Sequence, residues 1–152
     1  MKTLVAFYSR TGNTKKIAEE ISKNLDAEID EIIDEKNRKG MVGFVTAGRD
    51  AMKKSLTKIK YKKNPANYSL VIIGTPNWAN AMCPAIRTYL MENKNKIKKF
   101  AFFSASGGDD GGRVASSMQE LCKNKGKILA IEGKSIKDNS YKSKVKEFCK
   151  HL

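Results

Sequence analysis

Apolar residues in this chain alternate between short continuous runs and stretches where they recur every three or four positions. The runs predict five strands, at residues 3–8, 27–33, 69–74, 100–103 and 128–131. The helical stretches predict a helix after each strand, at residues 13–25, 41–54, 81–93, 112–124 and 138–150. Strands that are apolar on both faces are typical of a parallel sheet covered by helices. The pattern therefore predicts a single α/β domain over residues 1–152, a doubly wound five-stranded parallel sheet with helices on both faces.

The same spacing predicts which side of a helix is buried. In the helix over residues 41–54, the apolar positions and one glycine fall on one side: Met41, Phe44, Val45, Gly48 and Met52. We expect this side of the helix to be buried.

Ligands of doubly wound sheets bind at the carboxyl ends of the strands, so the loops after the first, third and fourth strands are the predicted functional loops. The first loop reads Ser9-Arg10-Thr11-Gly12-Asn13-Thr14 and leads into a helix. Its hydroxyls, its backbone N–H groups and the positive end of the helix dipole suit a phosphate. It has neither the P-loop pattern nor the dinucleotide-binding pattern. The alternative is an ordinary turn in which Asn13 or Thr14 caps the helix. Arg10 either adds a cation to the loop or faces solvent.

The second and third loops have the composition of a site for a flat ligand. The second, Thr75-Pro76-Asn77-Trp78-Ala79-Asn80, contains the only tryptophan and a proline that stiffens it. The third, residues 104–112, contains four glycines, which allow a close approach of backbone to ligand, and the adjacent acids Asp109 and Asp110. These acids are either helix caps or ligand contacts. A phosphate cradle, an aromatic platform and a glycine-rich loop at one edge suit FMN.

Charge is distributed unevenly along the chain. It has 30 basic and 16 acidic residues, and residues 36–63 hold ten basic residues against Asp50 alone. This segment is either a solvated lysine-rich surface or a basic face that steers an anionic partner. Nucleic acid is a third alternative, since Phe44, Tyr61 and Tyr68 lie among the basic residues, but no nucleic-acid-binding motif is present and we expect no nucleic-acid partner.

Three widely spaced cysteines without a C-x-x-C pair argue against a disulfide framework, a zinc site or an iron–sulfur cluster. We expect Cys122 and Cys149 to be small core residues, and Cys83, beside the second loop, to be either an inert thiol or a redox-active one. No apolar run approaches the ~20 residues of a membrane span, and no signal-peptide pattern is visible. We therefore expect a cytoplasmic protein without membrane insertion.

Three segments together resemble the flavodoxin family, in its short-chain form, over essentially the whole chain. They are Val5–Thr14, the stretch Gly74–Trp78 followed by Pro84 and Arg87–Leu90, and Ser104–Gly108. The resemblance implies the strand order 2-1-3-4-5 and FMN as cofactor. It implies phosphate binding by Ser9, Thr11, Gly12, Asn13 and Thr14, with Arg10 contributing its backbone N–H. It implies that Thr75, Pro76, Asn77 and Trp78 line the isoalloxazine ring, and that Ser104, Ala105, Ser106, Gly107, Gly108 and Asp109 contact its other side and the pyrimidine edge.

The chain departs from many electron-carrier flavodoxins in two respects. It has no aromatic residue in the loop after the fourth strand, and it is basic where those carriers are strongly acidic. The resemblance implies electron transfer between redox partners, and the basic charge favours an acidic, ferredoxin-like protein as one partner. The alternative is an NAD(P)H-dependent FMN oxidoreductase that reduces quinones, flavins or other small acceptors.

Overall fold

The computed structural model describes residues 1–152 and contains eight strands and six α-helices. The strands are β1 (Thr3–Phe7), β2 (Glu28–Glu31), β3 (Ile33–Asp34), β4 (Ile59–Lys60), β5 (Leu70–Trp78), β6 (Ala81–Met82), β7 (Phe100–Ser106) and β8 (Lys127–Glu132). The helices are α1 (Asn13–Leu25), α2 (Gly40–Met52), α3 (Pro84–Asn93), α4 (Arg113–Cys122), α5 (Gly133–Lys137) and α6 (Tyr141–Lys150), with a 3₁₀ turn at Pro65–Asn67.

Five of these strands form the parallel sheet, in the order β2-β1-β5-β7-β8. Once the three two-residue strands are set aside, this is the predicted order 2-1-3-4-5, so the fold prediction is confirmed. The order switches direction once, between β1 and β5, and because β1, β5 and β7 are parallel neighbours their carboxyl ends lie next to one another.

A separate hydrophobic core covers each face of the sheet. On one face, Ile17, Ala18 and Ile21 of α1 pack with α6 against β1, β5 and β7. On the other face, α3 and α4 pack against the same strands through residues such as Tyr89 and Met118. Both cores follow the apolar spacing of the sequence, because continuous apolar strands need a helix on each side.

Helix α2 contradicts the prediction about its buried side. Its buried residues are Gly43, Ala47, Asp50 and Ala51. The predicted face is exposed instead, and the side chains with the largest apolar area, Phe44 and Met52, each keep 68% of their surface exposed. No residue of α2 belongs to either core. The helix packs against its neighbours through its small residues, so its apolar stripe is not covered by the sheet.

The second predicted loop is largely a strand. β5 continues through Trp78 because Asn77 and Trp78 pair with β6 in an antiparallel hairpin. Ala79 and Asn80 form its two-residue turn, both with positive φ, which matches the twist of the two strands. The predicted helix over 81–93 consequently begins at Pro84, where proline suits a first helical position.

The last predicted helix, over residues 138–150, begins three residues later than expected, and a short helix that was not predicted, α5, precedes it. α5 ends before Asp138, and α6 begins at Tyr141 after a turn in which Asn139 has a positive φ. The Asp138 carboxylate accepts a hydrogen bond from the N–H of Ser140 at 2.9 Å. No helix is both long enough and apolar enough to span a membrane.

Candidate functional site

A cavity of about 490 Å³ opens at the carboxyl ends of β1, β5 and β7, where the sequence places the functional loops. All three loops contribute to it, and α2 adds a further wall. The lining residues are Arg10, Thr11, Asn13, Thr14, Phe44, Val45, Ala47, Gly48, Met52, Pro76, Asn77, Trp78, Ala79, Ala105, Ser106 and Gly107. The lining contains one cation and no carboxylate, so the cavity favours a neutral or anionic ligand.

The first loop presents hydrogen-bond donors at the start of α1. The first helical hydrogen bond runs from the N–H of Lys16 to the carbonyl of Gly12 at 3.0 Å, so the N–H groups before it in α1 have no helical partner. No side chain caps this end, and Gly12 is left-handed with φ 99°. Ser9 instead accepts the Gly12 N–H at 3.0 Å, which shapes the loop. The alternative in which Asn13 or Thr14 caps the helix is therefore wrong.

One interpretation of the loop expected Arg10 to face solvent. Its side chain is only partly exposed and makes two hydrogen bonds within the protein. Its Nε donates to the carbonyl of Arg38 at 2.7 Å, and one Nη donates to the carbonyl of Gly40 at 3.0 Å. Its guanidinium carbon lies 5.6 Å from the centroid of the Phe44 ring. The side chain thus leaves the loop and reaches the beginning of α2.

Trp78 is half-buried on the cavity wall and is held by two neighbours. The edge of its ring meets Tyr8 at 5.4 Å between centroids, with an interplanar angle of 89°. On another side the guanidinium of Arg38 lies 5.8 Å from the Trp78 centroid. Burial raises the pKa of Tyr8, so its hydroxyl stays protonated. The indole is fixed in position before any ligand arrives.

The second and third loops are joined by a polar cluster. The Asn77 amide donates to Ser106 Oγ and to Asp110 Oδ2, each at 3.2 Å, and accepts the N–H of Asn80 at 2.9 Å. Ser106 Oγ donates to Asp110 Oδ2 at 2.7 Å. Asp110 also accepts the N–H of Gly112 at the start of α4. Asp110 thus makes its hydrogen bonds within the protein, where it links the second loop to the third and stabilises the turn before α4.

Several residues that the sequence singled out lie outside the cavity lining. Thr75 is fully buried, and its hydroxyl donates to the carbonyl of Pro76 and accepts the N–H of Cys83. Ser104 is fully buried and its hydroxyl has no partner in the chain. Gly108 and Asp109 line a smaller neighbouring recess, where Asp109 accepts the N–H of Gly111.

The cysteines are not exposed reactive thiols. Cys83 is fully buried, and burial raises its pKa to about 12, which favours the inert thiol over the redox-active one. Cys122 and Cys149 are partly buried at the edges of the two cores, and burial raises the pKa of each to about 11.

A buried ionic cluster fastens α2 beside the cavity. The side chain of Arg38 keeps 3% of its surface exposed, and it donates to Asp50 at 2.6 Å and to Asp34 at 3.1 Å. Lys36 also reaches Asp50, at 2.6 Å. The hydrogen bonds from Lys36 and Arg38 lower the pKa of Asp50 to about 2.

The family model described as flavodoxin matches residues 2–152. The chain belongs to the flavodoxin family. This agrees with the resemblance seen in the three loop segments.

Solved structures of the flavodoxin fold match nearly the whole chain. A flavoprotein from Lactobacillus acidophilus in complex with FMN has a TM-score of 0.71 and 24% identity, covering 92% of this chain and 97% of that one. The apo-form of the flavoprotein from Lactobacillus acidophilus has a TM-score of 0.66 and 26% identity, with coverages of 90% and 95%. Oxidised flavodoxin 2 from Bacillus cereus has a TM-score of 0.58 and 18% identity, with coverages of 98% and 95%. Among curated protein sequences, none matches significantly.

The α2 wall is the part of this flavodoxin-family site that sequence reasoning missed. Five residues of the helix line the cavity: Phe44, Val45, Ala47, Gly48 and Met52. The sequence held one signal, because the only acidic residue in the basic segment 36–63 is Asp50, which lies opposite the apolar stripe. A helix that buries an aspartate among small residues has its apolar stripe turned away from the sheet.

Proposed function

We propose that this protein binds FMN in the cavity at the sheet edge and transfers electrons between redox partners. The observation that carries the proposal is that an uncapped helix N-terminus and a preformed apolar wall with Trp78 line the same cavity. FMN has the matching shape, a charged phosphate at one end and a flat ring at the other. Membership of the flavodoxin family and the FMN complex of the Lactobacillus acidophilus flavoprotein support the assignment.

The donor set of the first loop fits a phosphate. Thr11, Asn13 and Thr14 line the cavity, and none of their side chains makes a hydrogen bond within the protein. The unpartnered N–H groups of the first turn of α1 lie beside them. We propose that these groups bind the FMN phosphate, while Ser9 and Gly12 shape the loop and Arg10 contributes its backbone. Charge-assisted hydrogen bonds of this kind contribute ~1.5–3 kcal/mol each.

The rest of the cavity fits a flat ring. Its volume of about 490 Å³ lies within the range of ~300–1,000 Å³ that small-molecule sites occupy. We propose that Trp78 and Pro76 line one side of the ring, that Ala105, Ser106 and Gly107 approach another, and that α2 closes the site. Thr75, Ser104, Gly108 and Asp109 support these segments. When bound, FMN supplies the electron-transfer chemistry, and the protein supplies its position and electrostatic surroundings.

We infer that one redox partner is acidic. The segment 36–63, which includes α2 at the cavity, carries ten basic residues and one acidic residue. Such a surface accelerates encounters with a negatively charged protein and loses that advantage as salt rises. Reduction or oxidation rates with an acidic ferredoxin-like partner should therefore fall as salt increases, and rates that stay constant would argue against this partner.

An NAD(P)H-dependent oxidoreductase is the second candidate, and one observation favours it. The segment between β7 and α4, residues 107–112, contains only glycine and aspartate, so no aromatic ring covers the site from that side. A nicotinamide or a quinone would find open space there. A carrier needs a partner reductase, whereas this oxidoreductase would accept electrons from the nucleotide directly.

The experiment is a visible spectrum of purified protein, first titrated with FMN and then mixed anaerobically with NADH or NADPH. We expect a two-band yellow spectrum, quenching of Trp78 fluorescence on FMN addition, and no bleaching by either nucleotide. Rapid bleaching would make the protein an oxidoreductase of the second kind. A colourless protein whose tryptophan fluorescence ignores added FMN would overturn the cofactor assignment.

A further inference from the structure

Arg10 occupies an unusual position between two walls of the cavity. Its backbone belongs to the loop Ser9–Thr14 that we propose for the phosphate. Its guanidinium is directed away from the helix start of α1 and donates to two carbonyls at the beginning of α2, those of Arg38 at 2.7 Å and Gly40 at 3.0 Å. The two bonds use different nitrogens of a planar group, an arrangement that lysine cannot reproduce.

Helix α2 has few other attachments to the rest of the protein. It contributes nothing to either hydrophobic core, and its buried residues are small apart from Asp50. Side-chain hydrogen bonds from outside the helix reach it at two points, Asp50 through Lys36 and Arg38, and Gly40 through Arg10. Since Asp50 lies in the last turn, Arg10 is the side chain that holds the first turn.

The turn of α2 that follows the one held by Arg10 carries part of the cavity wall. Phe44 and Val45 line the cavity and follow Gly40 by about one helical turn. Arg10 also contacts this part directly, with its guanidinium 5.6 Å from the Phe44 centroid. Any movement of the loop backbone at Arg10 is therefore transmitted to the wall that faces the ring.

We propose that Arg10 is a positioning residue that couples the phosphate loop to the α2 wall. The proposal rests on the proposed function, because it assumes that a flavin fills the cavity. In this arrangement Arg10 does not act as the counter-ion of the phosphate. Binding a phosphate stiffens the loop, and Arg10 passes that order to α2. Because such coupling is reciprocal, an ordered α2 also favours phosphate binding.

The first test compares FMN with riboflavin, which lacks the phosphate, in Arg10→Met and Arg10→Lys. We expect Arg10→Met to weaken both ligands about tenfold, because the wall that contacts the ring is no longer held. Arg10→Lys keeps the charge but not the paired donors, so riboflavin should remain weakened. If only FMN weakens, Arg10 is a phosphate counter-ion and the proposal is wrong. If lysine restores both affinities, the paired donors are not needed to hold α2, and the proposal is also wrong.

Arg113→Met is the matched control. Arg113 is an exposed arginine at the first position of α4, it follows the third loop, and its side chain makes no hydrogen bond. Its removal subtracts the same charge without touching α2, so both flavin affinities should stay within about twofold. Thermal unfolding of each variant confirms that it is folded at the temperature of the titration.

The second test measures amide hydrogen exchange over residues 40–52. In the wild-type protein FMN should protect this segment more than riboflavin does, and in Arg10→Met the difference between the two ligands should vanish. Exchange of α2 without any flavin should also be faster in Arg10→Met than in Arg113→Met. This last comparison separates the two proposals, since it tests whether Arg10 holds α2 even if the wild-type protein binds neither flavin. Equal exchange in the two variants would overturn the proposed role.

Discussion

Helices α1 and α2 are each thirteen residues long, border the same cavity and carry an apolar stripe, yet they are fastened in opposite ways. The stripe of α1 lies in a hydrophobic core, where Ile17 and Ile21 are fully buried. The stripe of α2 faces the cavity, and a buried ion cluster with a close glycine contact holds the helix instead. An apolar stripe therefore identifies a surface that needs a cover, and the cover is either the sheet or a ligand.

The difference matters for what each helix contributes. Burying the α1 stripe stabilises the fold itself, whether or not a ligand is present. Burying the α2 stripe stabilises the complex, because a ligand in the cavity removes that surface from water. Substitutions in α1 should consequently change the free energy of unfolding, and substitutions in the α2 stripe should change ligand affinity.

The largest effect is expected at Ile21 of α1. Ile21→Ala should lower the free energy of unfolding by about 3–4 kcal/mol, since it removes three buried carbons and leaves a cavity in the core. Urea unfolding of the flavin-free protein measures this change. Met41→Ala, in the exposed stripe of α2, is the control and should stay within about 0.5 kcal/mol. Equal losses in the two variants would contradict the distinction between the helices.

Arg38 should come next, because it holds α2 from a buried position. Arg38→Met should cost about 3 kcal/mol, since it leaves the buried carboxylate of Asp34 without its cation. Arg49→Met is a control on the same network, because Arg49 approaches Asp50 only to 3.8 Å from a mostly exposed position. Its loss should be below about 0.5 kcal/mol. Urea unfolding measures both changes. Equal losses of unfolding free energy in the two variants would contradict the role of Arg38 in holding α2.

Acid should weaken the fastening of α2 through Asp50. Its pKa is about 2 in the folded protein, lowered by Lys36 and Arg38, against about 3.9 for an unfolded aspartate. The stabilisation is fully present above the unfolded value and is lost as the pH falls from about 5 towards 2. Asp50→Asn should therefore show a shallower decline of unfolding free energy over that range than the wild-type protein. A decline of the same slope would assign the acid sensitivity to other carboxylates.

The sequence was sufficient to predict the elements whose apolar residues pack in or against the sheet. The five strands follow from their apolar runs, and the strand order came from the family resemblance. The buried side of α1 follows from where Ile17 and Ile21 fall in the helical repeat. The same rule was wrong for α2, because helical spacing does not state what a stripe faces, and the small residues Gly43 and Ala47 carry the packing. The hairpin at Asn77–Met82 was missed because only two residues of each strand pair in it, and these residues form no apolar run.

Contacts between distant side chains were the other part that the sequence could not supply. The loop Ser9–Thr14 was predicted to bind phosphate from its residue types, but the reach of Arg10 to Gly40 spans 30 positions and depends on how α2 is placed. Thr75 was expected to line the ring, and in the structure it is buried with its hydroxyl accepting the N–H of Cys83. Hydroxyl-rich loops contain both ligand-binding and loop-shaping groups, and only the folded geometry separates them.

A smaller effect on the free energy of unfolding is expected at Gly43, where α2 packs closely against the backbone of Arg38. A Cβ at Gly43 would overlap the carbonyl group of Arg38, so Gly43→Ala should lower the free energy of unfolding by about 1–3 kcal/mol. At Gly48 in the same helix, an added Cβ would have the Cβ of Ala79 as its nearest neighbour, at 3.9 Å. Gly48→Ala should be neutral or stabilise by up to about 1 kcal/mol, because alanine is the better helix former. Thermal unfolding of the two single variants decides whether close packing or helix propensity dominates α2.

The smallest effect on folding, and the one that best isolates the ligand wall, is expected at Phe44. Because Phe44 is 68% exposed and its ring lies beside the exposed side of the Arg10 guanidinium, at 5.6 Å, Phe44→Ala should cost about 0.5 kcal/mol of unfolding free energy. The same change should weaken FMN about fivefold, since an aromatic contact of ~1 kcal/mol is lost only in the complex. Val42→Ala alters an exposed α2 residue outside the cavity lining and should leave FMN affinity unchanged. If Phe44→Ala instead destabilises the flavin-free protein as strongly as Ile21→Ala does, then the α2 stripe is a folding core after all, and the two helices do not differ in the way their burial indicates.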